Sequence, residues 1–263
     1  MSRLLRNKSD KYLIFAIKSN TMKISDIVAN KIDGFPVDYV FTYQFFEIEV
    51  GRKNSVVKAL NRLADSGKIV RLSKGKYYKP RKTQFGALKP SAYQIAKDFI
   101  EQDGKQIGYL TGYSAFSALG LTTQISSYIQ IGTNKYRRAV KRENYTISFI
   151  VQPNVITQKN IELLRILDAV RFIREIPGTT TDDACRRLIE IFRELATEQK
   201  AALTTLALKY TNSVRALCGA ILELTGADNL LLKKLQKSLN GVTEYKIPIS
   251  ESVLSTKSNW HIK

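Results

Sequence analysis

The sequence predicts a mainly helical α+β protein: an N-terminal winged helix-turn-helix over residues 1–85, then a larger α/β domain over 86–263 that ends in a helical bundle. Three observations predict it. Residues 52–82 hold eleven lysines and arginines against one acid, Asp65, on the pattern helix, glycine stop, strand, Lys-Gly turn, aromatic strand. A joint follows near residues 80–92, where YYKPRKTQFGALKPS carries two prolines and a glycine. Beyond Ile156 the apolar spacing turns helical and stays so through five segments.

In the first domain SDKYLIFAIKS and MKISDIVANKI have helical spacing, with Ser9 or Asp10 as an N-cap. GFPVDYVFT is a turn and a short extended piece, and Thr42 caps a short helix, YQFFEI. The basic helix spans about residues 54–66, starting at Asn54 or Ser55 and stopped by Gly67. Val56, Leu60 and Leu63 recur at i, i+4 and i+7, widened by Val57 and Ala64, while Lys58, Asn61, Arg62 and Asp65 show on the other face. IVRLS and KYYKP flank Lys74-Gly75 as a two-stranded wing.

The second domain begins with the helix SAYQIAKDFIEQ and another around SAFSALG. SSYIQIG, RRAVKR and NYTISFIV are extended, the last two separated by Glu143. Five helical segments follow: QKNIELLRILDAVRFI, DDACRRLIEIFRELA, EQKAALTTLALKY, SVRALCGAILELT and NLLLKKLQKSL. Their joints are Pro177-Gly178, Tyr210-Thr211-Asn212 and Thr225-Gly226. Thr181, Asp182 and Asp183 open the second helix, because acids suit its positive end. TEYKIPI reads as a last strand.

Net charge is +19 over 263 residues, with +12 in residues 1–90 and +7 in 91–263. Such an excess favours a polyanionic partner through counterion release. A hydrophobic content of 44% with 25% charged residues is ordinary for a globular protein. The apolar run from Tyr12 to Ile17 is short for a signal-peptide core and is closed by Lys18 without a small-residue cleavage site. No stretch approaches the ~20 apolar residues that span a bilayer, so a cytoplasmic protein without a membrane partner is expected. Cys185 and Cys218 fall in helical patterns and read as small buried hydrophobes. His261 is the one histidine, which excludes a triad built on an internal His base. Neither a CxxC pair nor a His-Cys cluster exists for zinc, and no cofactor is expected.

Double-stranded DNA is the partner the basic segment fits. Arg52, Lys53, Asn54 and Ser55 stand at the start of the helix, where positive charge opposes the helix dipole and points to a bound anion. Lys58, Asn61 and Arg62 line its polar face; Asn and Arg make bidentate contacts to purines. Arg71, Lys74 and Lys76 sit where a wing meets the DNA backbone or minor groove. A charged helix face is otherwise simply solvated; the basic start and the basic hairpin together favour DNA. Tyr77 and Tyr78 are of the type that stacks on single strands, although alternation along the wing strand turns one of them inward. Lys135, Arg137, Arg138, Lys141 and Arg142 read either as a solvated hairpin or as auxiliary phosphate contacts.

Other constellations carry less. GYLTGYSAFSALGLTT lacks the GK[ST] of a phosphate loop and reads as small residues packing a helix closely. Asp182, Asp183, Glu190 and Glu194 are acids of the kind that hold Mg²⁺ in nucleases. Beside Arg186, Arg187 and Arg193 at helical spacing they read as surface ion pairs. No catalytic residue, no metal site and no enzyme activity is expected.

VFTYQFF at 40–46, VVKALNRLADSGKIVRLSKGKYYKP at 56–80, LTGYSAFSALGLTTQISSYIQIGT at 110–133 and the later SLNGVTEYKIPIS resemble the AbiEi-like antitoxins of bacterial toxin–antitoxin and phage-defence loci. The resemblance covers most of the chain in order. It implies an N-terminal winged helix that represses its own operon by binding inverted repeats in the promoter. It implies also a C-terminal domain that counteracts a nucleotidyltransferase-like toxin encoded beside it. The residues themselves leave two alternatives open: a stand-alone winged-helix regulator, or a protein-interaction module that uses DNA for anchoring.

Overall fold

The computed structural model describes residues 23–46, 50–84, 86–124 and 126–263. The helix expected over SDKYLIFAIKS, with its cap at Ser9 or Asp10, lies outside them. The fold is mixed α/β, with nine α-helices among the described residues and small sheets. The chain divides into two compact units, 1–95 and 96–263.

In the first unit α1 (Ile24–Asp33) buries Val28 and Ile32. After β1 (Val40–Thr42), a 3-10 turn at Tyr43–Phe46 begins where the Gln44 N–H donates to Thr42 Oγ1 at 3.3 Å. The basic helix, α2, runs Lys53–Asp65 and buries Val56, Ala59 and Leu60, while Leu63 and Ala64 pack at the margin of the same core. Gly67 stops it with φ +70, a left-handed turn that lets the Lys68 N–H reach Leu63 O at 3.0 Å. β2 (Val70–Ser73) and β3 (Lys76–Tyr78) then pair across Lys74-Gly75, where Gly75 has φ +74.

The hairpin gains a third strand, because β1 pairs with β3 and the order is β1-β3-β2. That position explains one departure from expectation. Both Tyr77 and Tyr78 are buried, each 3% exposed, since β3 is the central strand and has no open face for a tyrosine. Tyr77 stacks on Phe41 at 6.3 Å, and Phe35, Phe41 and Phe46 cluster at 5.0–6.2 Å. The expected joint holds a hairpin of its own, β4 (Arg81–Thr83) with β5 (Gly86–Leu88), closed by Thr83 Oγ1 donating to Gly86 O at 2.9 Å. The division into units falls beyond it, within α3 (Ala92–Ile100).

The second unit holds the short hairpin β6 (Glu101–Gln102) and β7 (Lys105–Gln106), then β8 (Gly108–Thr111), α4 (Tyr113–Ala118), β9 (Tyr128–Thr133), β10 (Val140–Arg142) and β11 (Tyr145–Val151). The last four strands form one sheet in the order β10-β11-β9-β8, with β9 and β11 parallel. GYLT is thus a strand, where close helix packing was expected. Gly108 still lets it pack closely on a helix, since a Cβ there would stand 2.5 Å from Phe99 O on α3; on the neighbouring β9 a Cβ on Gly132 would strike the Tyr109 ring.

The helices α5 (Ile161–Arg171), α6 (Thr181–Glu194), α7 (Thr197–Ala207), α8 (Asn212–Leu224) and α9 (Asn229–Gln236) share one apolar core. Thr180 caps α6 by accepting from the Asp183 N–H at 3.1 Å. Cys185 and Cys218 are free and buried in that core, and burial pushes each thiol up to about 12. TEYKIPI does not form a strand; Tyr245 and Ile262 make a lone parallel bridge. Pro248 brings no N–H with which to extend it.

One buried polar cluster ties this sheet to the helices. Asp168, fully buried on α5, accepts from Tyr109 Oη at 2.6 Å, Thr111 Oγ1 at 2.7 Å and Tyr210 Oη at 2.9 Å. Gln152 Nε2 donates to both tyrosine oxygens, at 2.8 and 2.6 Å. Burial raises the Asp168 pKa, against the opposing pull of its three hydroxyl donors. In the unfolded chain it titrates near ~3.9. A raised folded value means its contribution is full below that point and declines as pH rises toward the folded value. The stability of the native chain relative to Asp168→Asn, which cannot ionise, therefore falls as pH is raised from about 4 toward neutrality. Urea unfolding of both proteins across that range checks this; a constant gap would mean that burial does not shift Asp168.

Candidate nucleic-acid interface

The first unit sorts its cations by what holds them. Lys68 pairs with Asp33 at 2.9 Å, Lys79 Nζ donates to the carbonyls of Asp33 and Phe35 at 2.8 and 3.2 Å, and Arg81 pairs with Asp38 at 3.3 Å. These three staple α1 and the turn after it to the hairpin. Arg52, Lys53, Asn54, Ser55, Lys58, Asn61, Arg62, Arg71 and Lys74 are exposed, and Lys76 is half-buried.

Helix geometry groups the exposed set. Residues 54, 58, 61 and 62 fall at i, i+4, i+7 and i+8, so Asn54, Lys58, Asn61 and Arg62 share one stripe, opposite Val56, Ala59 and Leu60. Arg52 stands at the N-cap of α2 and makes no capping bond to the helix, and the first turn of α2 holds no acid. Arg52 and Lys53 stand at the helix start, and a positive side chain beside free N–H groups suits a phosphate oxygen. Lys53 Nζ lies 4.5 Å from the Tyr43 ring centre, a cation–π contact that fixes the lysine beside the helix start.

Asn61 links helix and hairpin. Tyr77 Oη donates to Asn61 Oδ1 at 2.7 Å, so a residue of the central strand fixes the orientation of an exposed amide on α2. Both amide hydrogens and one Oδ1 lone pair remain for a base edge. Beside it runs an open groove lined by Asn61, Ala64, Asp65, Gly67, Ile69, Val70 and Arg71. The sequence carries no local signal for this bond, because its partners are sixteen residues apart on different elements.

The second basic cluster does not act as one patch. Lys135, Arg137 and Arg138 are exposed on the segment between β9 and β10, and Lys141 is exposed on β10. Arg142, expected as a phosphate contact, is instead buried: its guanidinium grips Asp98 through two bonds, at 2.7 and 2.8 Å, and lies 4.5 Å from the centre of the Phe99 ring. Strand alternation turns Lys141 and Arg142 to opposite faces of the sheet. Of the paired acids on α6, Asp183 bonds Arg186 at 2.6 Å and Glu190 bonds Arg187 at 2.8 Å. Asp182 instead accepts from the N–H and Oγ of Ser250, at 2.8 and 2.5 Å. Among the described residues no group of three or more His, Cys, Asp or Glu could hold a metal ion, and no helix is long and apolar enough to cross a membrane.

A family model matches residues 26–200, from α1 into α7. The chain belongs to DUF6088, a family of unknown function. The DUF6088 match takes in the basic helix, the hairpin and the whole mixed sheet. The chain is similar to the crystal structure of the RV2827C protein from Mycobacterium tuberculosis, at 15% identity over 83% of this chain and 82% of that one, with a TM-score of 0.48. No curated protein matches the chain.

Proposed function

We propose that this chain is a sequence-specific duplex-DNA-binding repressor whose first unit is a winged helix, with α2 as the recognition helix and the β2–β3 hairpin as the wing. The single observation that carries this reading is the exposed stripe of Asn54, Lys58, Asn61 and Arg62 on a helix with a basic, uncapped start, next to a hairpin that bears Arg71 and Lys74. Helix and hairpin together match the dimensions of a major groove and the backbone beside it. The resemblance to AbiEi-like antitoxins adds the setting: an operon that the protein represses itself, and a neighbouring nucleotidyltransferase-like toxin that the second unit counteracts. No reacting group is invoked, and the protein acts as a binder.

Footprinting on the upstream promoter identifies the site, and four substitutions then separate base reading from phosphate holding. Asn61→Ala and Arg62→Ala each cost about 1–3 kcal/mol on the preferred site and much less on random duplex. Lys74→Ala and Arg71→Ala weaken both duplexes by similar factors. Tyr77→Phe, which removes the bond that orients Asn61, follows the Asn61→Ala pattern in milder form. If all of these changes act alike on both DNAs, α2 is a phosphate clamp and not a reader. A charge-reversed α2 that loses repression but still rescues cells from the neighbouring toxin would support the division of labour.

A further inference from the structure

The segment between β9 and β10 is built more firmly than a solvated loop needs. Thr133 Oγ1 donates to Lys135 O at 2.8 Å, which tightens the turn as the chain leaves β9. Asn134 Nδ2 donates to two carbonyls, Gln152 O at 2.8 Å and Asn154 O at 2.6 Å. Those acceptors are themselves fixed. Asn154 donates from its N–H and Nδ2 to Gln152 Oε1, at 2.9 and 3.1 Å, and from Nδ2 to Leu206 O at 3.0 Å. Gln152 reaches on to the buried Asp168–Tyr109–Tyr210 cluster. A polar network rooted in the core thus ends at the base of this loop.

At the tip of that base stands Tyr136, 77% exposed, with Lys135, Arg137 and Arg138 exposed on either side of it. Arg137 lies 5.7 Å from the centre of the Phe99 ring, which gives its guanidinium a platform. An aromatic ring held out in water loses the contacts that burial would give it. A ring flanked by three cations on an anchored turn has the composition of a stacking platform with phosphate clamps. Duplex DNA offers such a ring nothing to stack on, because its bases are already stacked; an unpaired nucleotide offers a free π-face and a phosphate on each side.

We infer that the second unit carries a single-stranded nucleic-acid site, in which Tyr136 stacks on an unpaired base while Lys135, Arg137 and Arg138 hold the flanking phosphates. It is separate from the duplex site proposed for the first unit and does not depend on it.

The test uses the full-length chain and a variant with Arg52, Lys53, Lys58 and Arg62 changed to Glu, so that the first unit contributes little to any polyanion. Binding of fluorescent twelve-nucleotide oligo-dT and oligo-U is followed by anisotropy, with a random duplex of the same length in parallel. Tyr136→Ala weakens the single strands about tenfold, Tyr136→Phe keeps most of the affinity, and duplex binding by the otherwise native chain is unchanged. Neutralising Lys135, Arg137 and Arg138 with Gln weakens the single strands further and flattens the salt dependence. Preference for oligo-U over oligo-dT makes RNA the natural ligand, and the reverse makes it DNA. Equal affinity of native and Tyr136→Ala proteins for both oligonucleotides, with unchanged melting temperatures, overturns the inference. So does an equal loss on the duplex, or failure of the charge-reversed protein to bind either strand. Loss of duplex binding alone, by contrast, bears only on the first unit.

Discussion

Raising the salt from about 50 to about 200 mM weakens duplex binding by the full-length chain about 10³-fold. Arg52, Lys53, Lys58, Arg71 and Lys74 are exposed along the helix and hairpin, and the half-buried Lys76 stands on the same hairpin, so six cations lie where phosphates would, while Arg62 is kept for a base edge. Each neutralised phosphate contributes a log–log slope of about −0.9, so about six contacts compound to this loss over a fourfold change in salt. Lys68, Lys79 and Arg81 are left out because they already bind Asp33, Phe35 and Asp38, and their replacement would loosen the fold before it touched the slope. Replacing Arg52, Lys53 and Lys58 with Glu removes about three units of slope along with most of the affinity. A binding curve flat in salt, or an unchanged slope in that variant, would falsify the assignment of these residues to the phosphate surface.

What the sequence discloses and what it hides follow from how far apart the deciding residues are. The basic helix was legible because Val56 and Leu60 recur at helical spacing and Gly67 closes the last turn, all within one element. Its neighbour Tyr78 was not, because its burial depends on β1 pairing alongside, some 38 residues away. Arg142 stands five residues from Arg137 in a run of positive charge, and nothing local distinguishes the two. Only Asp98, 44 residues earlier, decides that Arg142 is part of the core and Arg137 is not. β8 was hidden by its own glycine: Gly108 weakens the strand pattern, yet the Phe99 carbonyl requires a residue without a Cβ there. The Asp168 cluster was likewise invisible. Tyr109, Gln152, Asp168 and Tyr210 come from four places in the chain, and no spacing rule joins them.

Replacing Trp260 with Ala destabilises the second unit by about 3–5 kcal/mol, among the largest single effects available in the chain. The side chain is fully buried, although it lies on a 3-10 turn, Lys257–Trp260, and on no α-helix. Its ring sits against α8 at Gly219, and its Nε1 donates to Glu223 Oε2 at 2.5 Å one turn further along that helix. Thr256 Oγ1 donates to Ala220 O at 2.7 Å, so the same turn is bonded on both sides of the ring. A cavity of that size leaves the Glu223 carboxylate without its indole donor as well as losing the apolar contact. The converse substitution probes the same contact from the helix. Gly219→Ala would help an isolated helix by about 1 kcal/mol, yet here the new Cβ falls on the six-membered ring of Trp260, and overpacking costs about 1–3 kcal/mol. The double variant removes the clash along with the ring, so Gly219→Ala should turn from harmful to helpful once Trp260 is Ala. Urea unfolding of the four proteins gives the coupling directly. If the two changes simply add, the ring and residue 219 do not meet in solution, and the packing of this turn on α8 is wrong.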